Sequence, residues 1–197
     1  MIHPDTQVRT VSNIIGNGVF ATALIRKGTI VVVRDRFDTV LSQEEFQQLP
    51  GLIRESMETF LYHDRSGNLV LSWDHARSMN HSCHPKTMLT GYNFEIAVRD
   101  IQPGEEITTE YGLLNIQEPY QIHCKCPGCR EHLRSDDIDC YGESWDELIK
   151  ESLLMIDDVA QPLMELMDSA TKQRLNQFRS DPESYSSVKA IKWRRPV

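Results

Sequence analysis

The sequence predicts a mainly β protein of the α+β kind, small sheets carrying a short helical insert and a helical C-terminal extension. Three observations carry that expectation. Short β-branched or alternating runs separated by glycine turns fill most of the first 115 residues. One capping box, Ser42-Gln43-Glu44-Glu45, interrupts them. Beyond the cysteine cluster at 124–129 the apolar residues change to helical spacing.

In chain order, glycine-punctuated strands run from Val8 to Val40, with Thr29-Ile30-Val31-Val32-Val33 as a core strand. Ser42 opens a short helix that Pro50-Gly51 ends. Leu52 to Tyr62 has helical spacing, with Ile53, Met57, Phe60 and Leu61 on one side. Ser66-Gly67-Asn68 turns into a strand from Leu69 to Trp73. Phe94 to Val98 alternates, Ile101-Gln102-Pro103-Gly104 turns, and Ile107 to Tyr111 forms another strand. Ser144-Trp145-Asp146-Glu147 reads as a second capping box. A last helix is expected from Pro162 to about Phe178, closed near Asp181-Pro182.

The 197 residues suffice for one core with a small appendage. No apolar run approaches the roughly 18 residues of a membrane span, and Met1-Ile2-His3-Pro4-Asp5 lacks the blocks of a signal peptide. The expectation is an intracellular protein, cytoplasmic or nuclear, without a membrane. A net charge of −8 argues against bulk electrostatic binding of nucleic acid and suits a basic protein or peptide partner, or simply solubility. The basic tail Lys189 to Arg195 reads as a frayed terminus. Five cysteines without a secretory signal point to thiols rather than disulfides.

Two polar runs carry the chemistry. Asn80-His81-Ser82-Cys83-His84 sets an amide, two imidazoles, a hydroxyl and a thiol in consecutive positions, a poor composition for a core because buried polar groups need partners. Gly104 to Gly112 ends an alternating strand on Tyr111. Together they suggest a ligand gripped by backbone, with a phenol facing it. Gly16-Asn17-Gly18-Val19-Phe20-Ala21 has the letters of a dinucleotide fingerprint, but a β-branched run rather than a helix follows, so a Rossmann domain is excluded. What remains is a glycine turn, either against a ligand or merely tight. Cys124-Lys125-Cys126-Pro127-Gly128-Cys129 suits thiolates converging on zinc; the alternative is a redox thiol cluster. Local chemistry leaves the fourth ligand open among His123, His132, Cys83 and Cys140. The scattered histidines form no helical H-x-x-x-H pair, and no G-x-S-x-G or P-loop is present.

Four blocks in order resemble the SET-domain protein-lysine methyltransferases: the glycine turn at 16–21, Arg77 to Pro85, Gly104 to Gly112 and the cysteine cluster. The resemblance covers about Val8 to Arg130 and implies a SET fold in which the segment holding Tyr111 threads a loop as a pseudoknot. It implies a SET domain at 6–115 (insert about 42–63) and a post-SET zinc-binding segment at 116–135, to which the helical spacing adds an extension at 141–197. It further implies a methyltransferase that uses S-adenosyl-L-methionine to methylate a lysine side chain of a protein or peptide. Asn17, Gly18, Phe20, Asn80, His81 and Tyr111 would contact the cofactor, and Tyr111 would be catalytic. Cys83, Cys124, Cys126 and Cys129 would hold a structural zinc ion. Tyr92 is a candidate for the lysine channel; Trp73 and Phe94, also considered there, are favoured as core residues. The insert between Val40 and Leu69 has no cysteine, so no MYND finger is present. Lys86 stands where the family usually has asparagine, and Ser78-Met79 where it has an aromatic-aliphatic pair. Alternatives are a catalytically weak SET module that binds peptide, and a transferase for a non-lysine or small-molecule amine.

Overall fold

The computed structural model describes residues 1–122, 124, 126 and 128–194. Its centre is a twisted sheet assembled from distant short strands. β1 (Thr6–Ser12) and β2 (Gly16–Ala21) form an antiparallel hairpin. β2 pairs antiparallel with β10 (Glu106–Thr109). On its other side β10 runs parallel to β7 (Asn80–His81) and β8 (Thr87–Leu89). β9 (Phe94–Ala97) and β3 (Ile30–Val33) complete the sheet in antiparallel fashion. The parallel pairing matters most for function: it sets Asn80 opposite Thr108 and His81 opposite Thr109, so the two polar runs lie side by side.

The insert is a three-stranded antiparallel sheet, β4 (Thr39–Leu41), β6 (Leu69–Leu71) and β5 (Tyr62–His63), with α1 (Gln43–Gln48) and α2 (Gly51–Met57) between β4 and β5. The Ser42 capping box forms as expected, its hydroxyl accepting from the Glu45 amide at 3.1 Å and the Glu45 carboxylate accepting from the Ser42 amide at 2.7 Å. The apolar side expected after Pro50 is not buried. α2 has no buried residue, and Ile53 and Phe60 remain exposed, Phe60 with the Arg77 guanidinium 5.9 Å from its ring centroid. Trp73, favoured as core, is also 43% exposed; it meets Phe37 edge-on and donates its indole N–H to Asp35.

After β10 the chain does not continue as strand. Tyr111–Leu113 is a 3₁₀ turn whose N-terminus is capped by the Glu110 carboxylate, which accepts from the Gly112 amide at 2.8 Å. The expected strand end at Tyr111 is therefore corrected: a polar cap bends the backbone there. A short hairpin, β11 (Tyr120–Gln121) and β12 (His132–Leu133), brackets the cysteine cluster.

The C-terminal region is helical, with different bounds from those expected. α3 spans Asp137–Leu153, so Ser144 lies mid-helix and caps nothing; its hydroxyl donates to the Tyr141 carbonyl. Asp146 is a tertiary clasp instead, accepting from the Tyr185 and Ser187 hydroxyls and the Val188 amide. α4 spans Ser169–Ser180 and is capped by Asp168, starting later than the sequence suggests. Both helices pack on β3, β8 and β9 through Trp145, Ile149, Leu153, Leu175 and Phe178. A second core, with Val19, Ile25, Val31, Met79 and Ile107, fills the other face. The tail is docked rather than frayed: Ile191 is buried, the Trp193 ring stacks on His63 at 5.0 Å, and the Trp193 amide donates to Asn115 Oδ1 at 2.7 Å. Arg195 lies outside the described residues. Among the described residues no helix is long and apolar enough to cross a membrane.

Candidate active site and thiol cluster

Tyr111 sits where the two polar runs converge. Its phenol donates to the Met79 carbonyl at 2.6 Å, and its backbone N–H donates to His81 Nδ1 at 3.2 Å. With Nδ1 accepting, His81 is the neutral tautomer whose Nε2–H faces Cys83 Sγ at 3.3 Å. Burial, with the nearby Arg130 charge, lowers the His81 pKa to about 4, so its approach to Glu110 at 3.7 Å is not an ion pair at neutral pH. Burial pushes the Tyr111 phenol well above its ordinary range, so it stays protonated and acts as a hydrogen-bonding group rather than a phenolate.

Tyr111 and Met79 line a cavity of about 490 Å³. Tyr62 and His63 of the insert, Phe94 and Glu95 of β9, and Asn115 and Tyr120 beyond the 3₁₀ turn also form its walls. Asn17, Gly18, Phe20, Asn80 and His81 do not line it. They belong instead to β2 and β7, two strands that pair with β10. The Asn80 amide donates to the Asn17 carbonyl at 3.0 Å and to Glu106 Oε1 at 2.7 Å, tying β2 to β10. A Cβ on Gly18 would meet the Glu106 carboxylate at 2.5 Å, a Val11 methyl at 2.7 Å and the Asn80 amide at 2.9 Å, so a larger residue would displace the Asn80–Glu106 pair. The Phe20 ring is half-buried, with the Arg9 guanidinium 5.3 Å from its centroid.

Tyr92 is corrected. It is 1% exposed, stacks on Phe94, meets Phe178 at a tilt of 57°, and its hydroxyl accepts from the Ser186 amide at 3.0 Å. The C-terminal helices claim it for the core, and it does not reach the cavity. Glu95 lies on the alternating strand β9, and its place in the cavity wall is a tertiary feature without a local sequence signal.

Cys83, Cys124, Cys126 and Cys129 bring four sulfurs within 4.8 Å of one another. Cys124 and Cys126 stand 2.8 Å apart, and Cys83 and Cys129 4.0 Å. Sulfurs on a tetrahedral ion with Zn–S bonds of about 2.3 Å stand roughly 3.8 Å apart, so the set fits such an ion after small adjustment. Backbone N–H groups of Cys126, Arg130 and Glu131 point at Cys124, Cys83 and Cys129 sulfurs, which suits thiolate charge. The cluster can hold a metal ion. His132 on β12 and exposed Cys140 on α3 are not part of it, and His123 lies outside the described residues.

Arg130 links the cluster to the tyrosine. It follows Cys129 and donates to Glu110 Oε1 at 2.5 Å, while its guanidinium lies over Tyr141 and Trp145 of α3. Burial pushes Glu110 up to about 7, against the pull of Arg130. The carboxylate that caps the Tyr111 turn is thus held by the residue next to a metal-ligand candidate.

The family model for the SET domain matches residues 16–112. Those residues are a SET domain. The histone-lysine N-methyltransferase Set2 of Drosophila melanogaster is 28% identical over 145 residues, 67% of this chain and 6% of that protein. A variant-silencing SET domain-containing protein of Plasmodium falciparum (isolate 3D7) is 28% identical over 170 residues, 75% of this chain and 6% of that protein. The chain therefore spans about 6% of the length of these relatives. Among solved structures, the methyltransferase domain of the human histone-lysine N-methyltransferase SETMAR aligns with 68% of this chain and 58% of its own, at 20% identity and a TM-score of 0.47. The SET match contains the glycine turn, the Asn80–Cys83 run and Tyr111, while the other three cysteines lie beyond it.

Proposed function

We propose that the chain is an S-adenosyl-L-methionine-dependent methyltransferase acting on the side-chain amine of a lysine in a protein or peptide. The observation that carries this reading is the position of Tyr111, which lines the cavity with its hydroxyl on the Met79 carbonyl while its backbone N–H donates to the His81 imidazole. Substrate would enter the cavity, and the cofactor would lie beyond Met79–His81. The residue types there suit a sulfonium nucleoside: bare backbone at Gly18, an aromatic ring at Phe20, the Asn80 amide and the Glu106 carboxylate. Because the His81 imidazole is engaged by Tyr111 and Cys83, His81 would serve through its backbone.

When bound, the cofactor supplies an electrophilic methyl group. The protein's part is to hold an amine in line with it, without its proton and without competing water. Lysine in water is protonated, with a reference pKa of about 10.4. A walled cavity lowers that value by desolvation. The protonated phenol of Tyr111, anchored on the Met79 carbonyl, keeps its oxygen lone pairs towards the reacting centre. Cys83, Cys124, Cys126 and Cys129 would hold zinc and thereby fix Arg130 and the Tyr111 turn. The parallel pairing of 80–81 with 108–109 supports the threaded arrangement expected around Tyr111. An intracellular setting, cytoplasmic or nuclear, a post-SET segment near 116–135 and a helical extension complete the proposal.

A methyl-transfer screen of purified protein over a peptide array, with labelled cofactor, tests it. Incorporation confined to lysine-containing peptides is expected. Incorporation into none of them, or equally into lysine-free peptides, overturns the reading.

A further inference from the structure

Glu95 presents an acid to a cavity walled by aromatic and aliphatic groups together with polar and charged ones. β9 alternates, so Phe94 and Ile96 enter the core while Glu95 turns to the cavity side, between β8 and β3. Its carboxylate accepts from the Thr87 hydroxyl at 2.7 Å, and Thr87 is itself fully buried. Next to it on β10, the Thr109 hydroxyl is also buried in the cavity wall. The other charged and titratable residues lining the cavity are Arg34 and Asp38 after β3, Glu58, Tyr62 and His63 of the insert, Arg77 before β7, and Tyr111, Glu118 and Tyr120 beyond β10. Arg34 pairs with Asp64 at 3.3 Å, and among the described residues no basic group pairs with Glu95.

A half-buried carboxyl in a cavity wall without a cation is an incomplete arrangement, because loss of water disfavours its charge unless a partner arrives. The cavity has room for an alkyl chain, and its walls (Leu89, Tyr62, Tyr111) would cover methylenes. We propose that Glu95 is the counter-ion and proton acceptor for a primary alkylammonium, the end of a lysine side chain, entering this cavity. The inference deepens the function proposed above and rests on it for the identity of the substrate. The step is a single proton transfer: an N–H bond of the ammonium breaks, its electron pair stays on nitrogen, and the proton forms an O–H bond with the Glu95 carboxylate. The amine is left neutral with a free lone pair, and the acid later returns its proton to solvent through the cavity mouth. Burial raises the Glu95 pKa, which brings it nearer that of the amine it must deprotonate.

The test is calorimetric titration of Nα-acetyl-lysine amide into wild type, Glu95→Gln and Glu95→Asp, without methyl donor, in buffers of different ionisation enthalpy. Wild type and Glu95→Asp should bind with heats that depend on the buffer. Glu95→Gln, which keeps the Thr87 hydrogen bond and folds with an unchanged circular dichroism spectrum, should bind at least tenfold more weakly and lose the buffer dependence. Equal affinity in Glu95→Gln, or no uptake by wild type, overturns the proposal. Methyl transfer to peptide is measured in parallel. An ammonium site that depends on Glu95 in a protein with no transferase activity would sustain the cation site and sink the methyltransferase reading. Full activity of Glu95→Gln with an unshifted pH profile would do the reverse.

Discussion

Arg130→Ala tests whether the thiol cluster and the tyrosine turn are one mechanical unit. Glu110 is 1% exposed, and Arg130 is its basic partner. Removing one member of a buried pair costs about 3–5 kcal/mol when the other stays charged. Glu110 can escape that cost by keeping its proton, so the loss must depend on pH. In the wild type its folded pKa of about 7 exceeds the ordinary 4.5. The native state therefore holds the proton more tightly, and stability falls as pH rises from 4.5 through 7, by up to about 3 kcal/mol from this group. Without Arg130 the folded pKa rises further and the falling limb extends above pH 7. Urea unfolding at pH 5.5 and pH 8, with zinc held in excess, should show a loss of about 1–2 kcal/mol at the lower pH. That part reflects the lost contacts with Tyr141 and Trp145 and the lost ion pair with Asp137, 3.4 Å away. At pH 8 the loss should reach about 3–5 kcal/mol, and adding Glu110→Gln should recover most of the difference. An equal loss at both pH values, or no recovery in the double variant, would refute the argument.

Other outcomes follow from the same geometry. Tyr111→Phe loses one hydrogen bond to the Met79 carbonyl and should cost only about 1 kcal/mol of stability. It should leave cofactor affinity nearly unchanged by calorimetry while methyl transfer falls at least a hundredfold. Cys83→Ser should lower bound zinc well below one per chain by elemental analysis, whereas Cys140→Ser, outside the cluster, should not. Trp193→Ala should cost about 2 kcal/mol, half the value of a fully buried tryptophan, and should speed amide exchange at His63 and Asn115, which the tail braces.

The sequence by itself determined the local structure where chemistry is local. The Ser42 capping box, the β-branched strand at Ile30–Val33 and the rejection of a helix after Gly18 each depend on a few adjacent residues, and each holds. The motif order also identified the SET domain, because Asn80 to Cys83 and Gly104 to Tyr111 are specific as residues. Only the tertiary structure decided what depends on distant partners. Tyr92 became core because α4 and Ser186 close over it. Asp146 looked like part of a cap yet serves as a clasp for residues about forty positions downstream. Glu95 sits on an alternating strand, and the insert and the Tyr111 turn enclosed it in a cavity. Cys83 joined the other cysteines because parallel pairing with β10 and the later hairpin carry both segments to one point. Local patterns record what a residue prefers to do with its neighbours in sequence. A buried acid or a fourth thiol acquires its role from groups that only folding brings near.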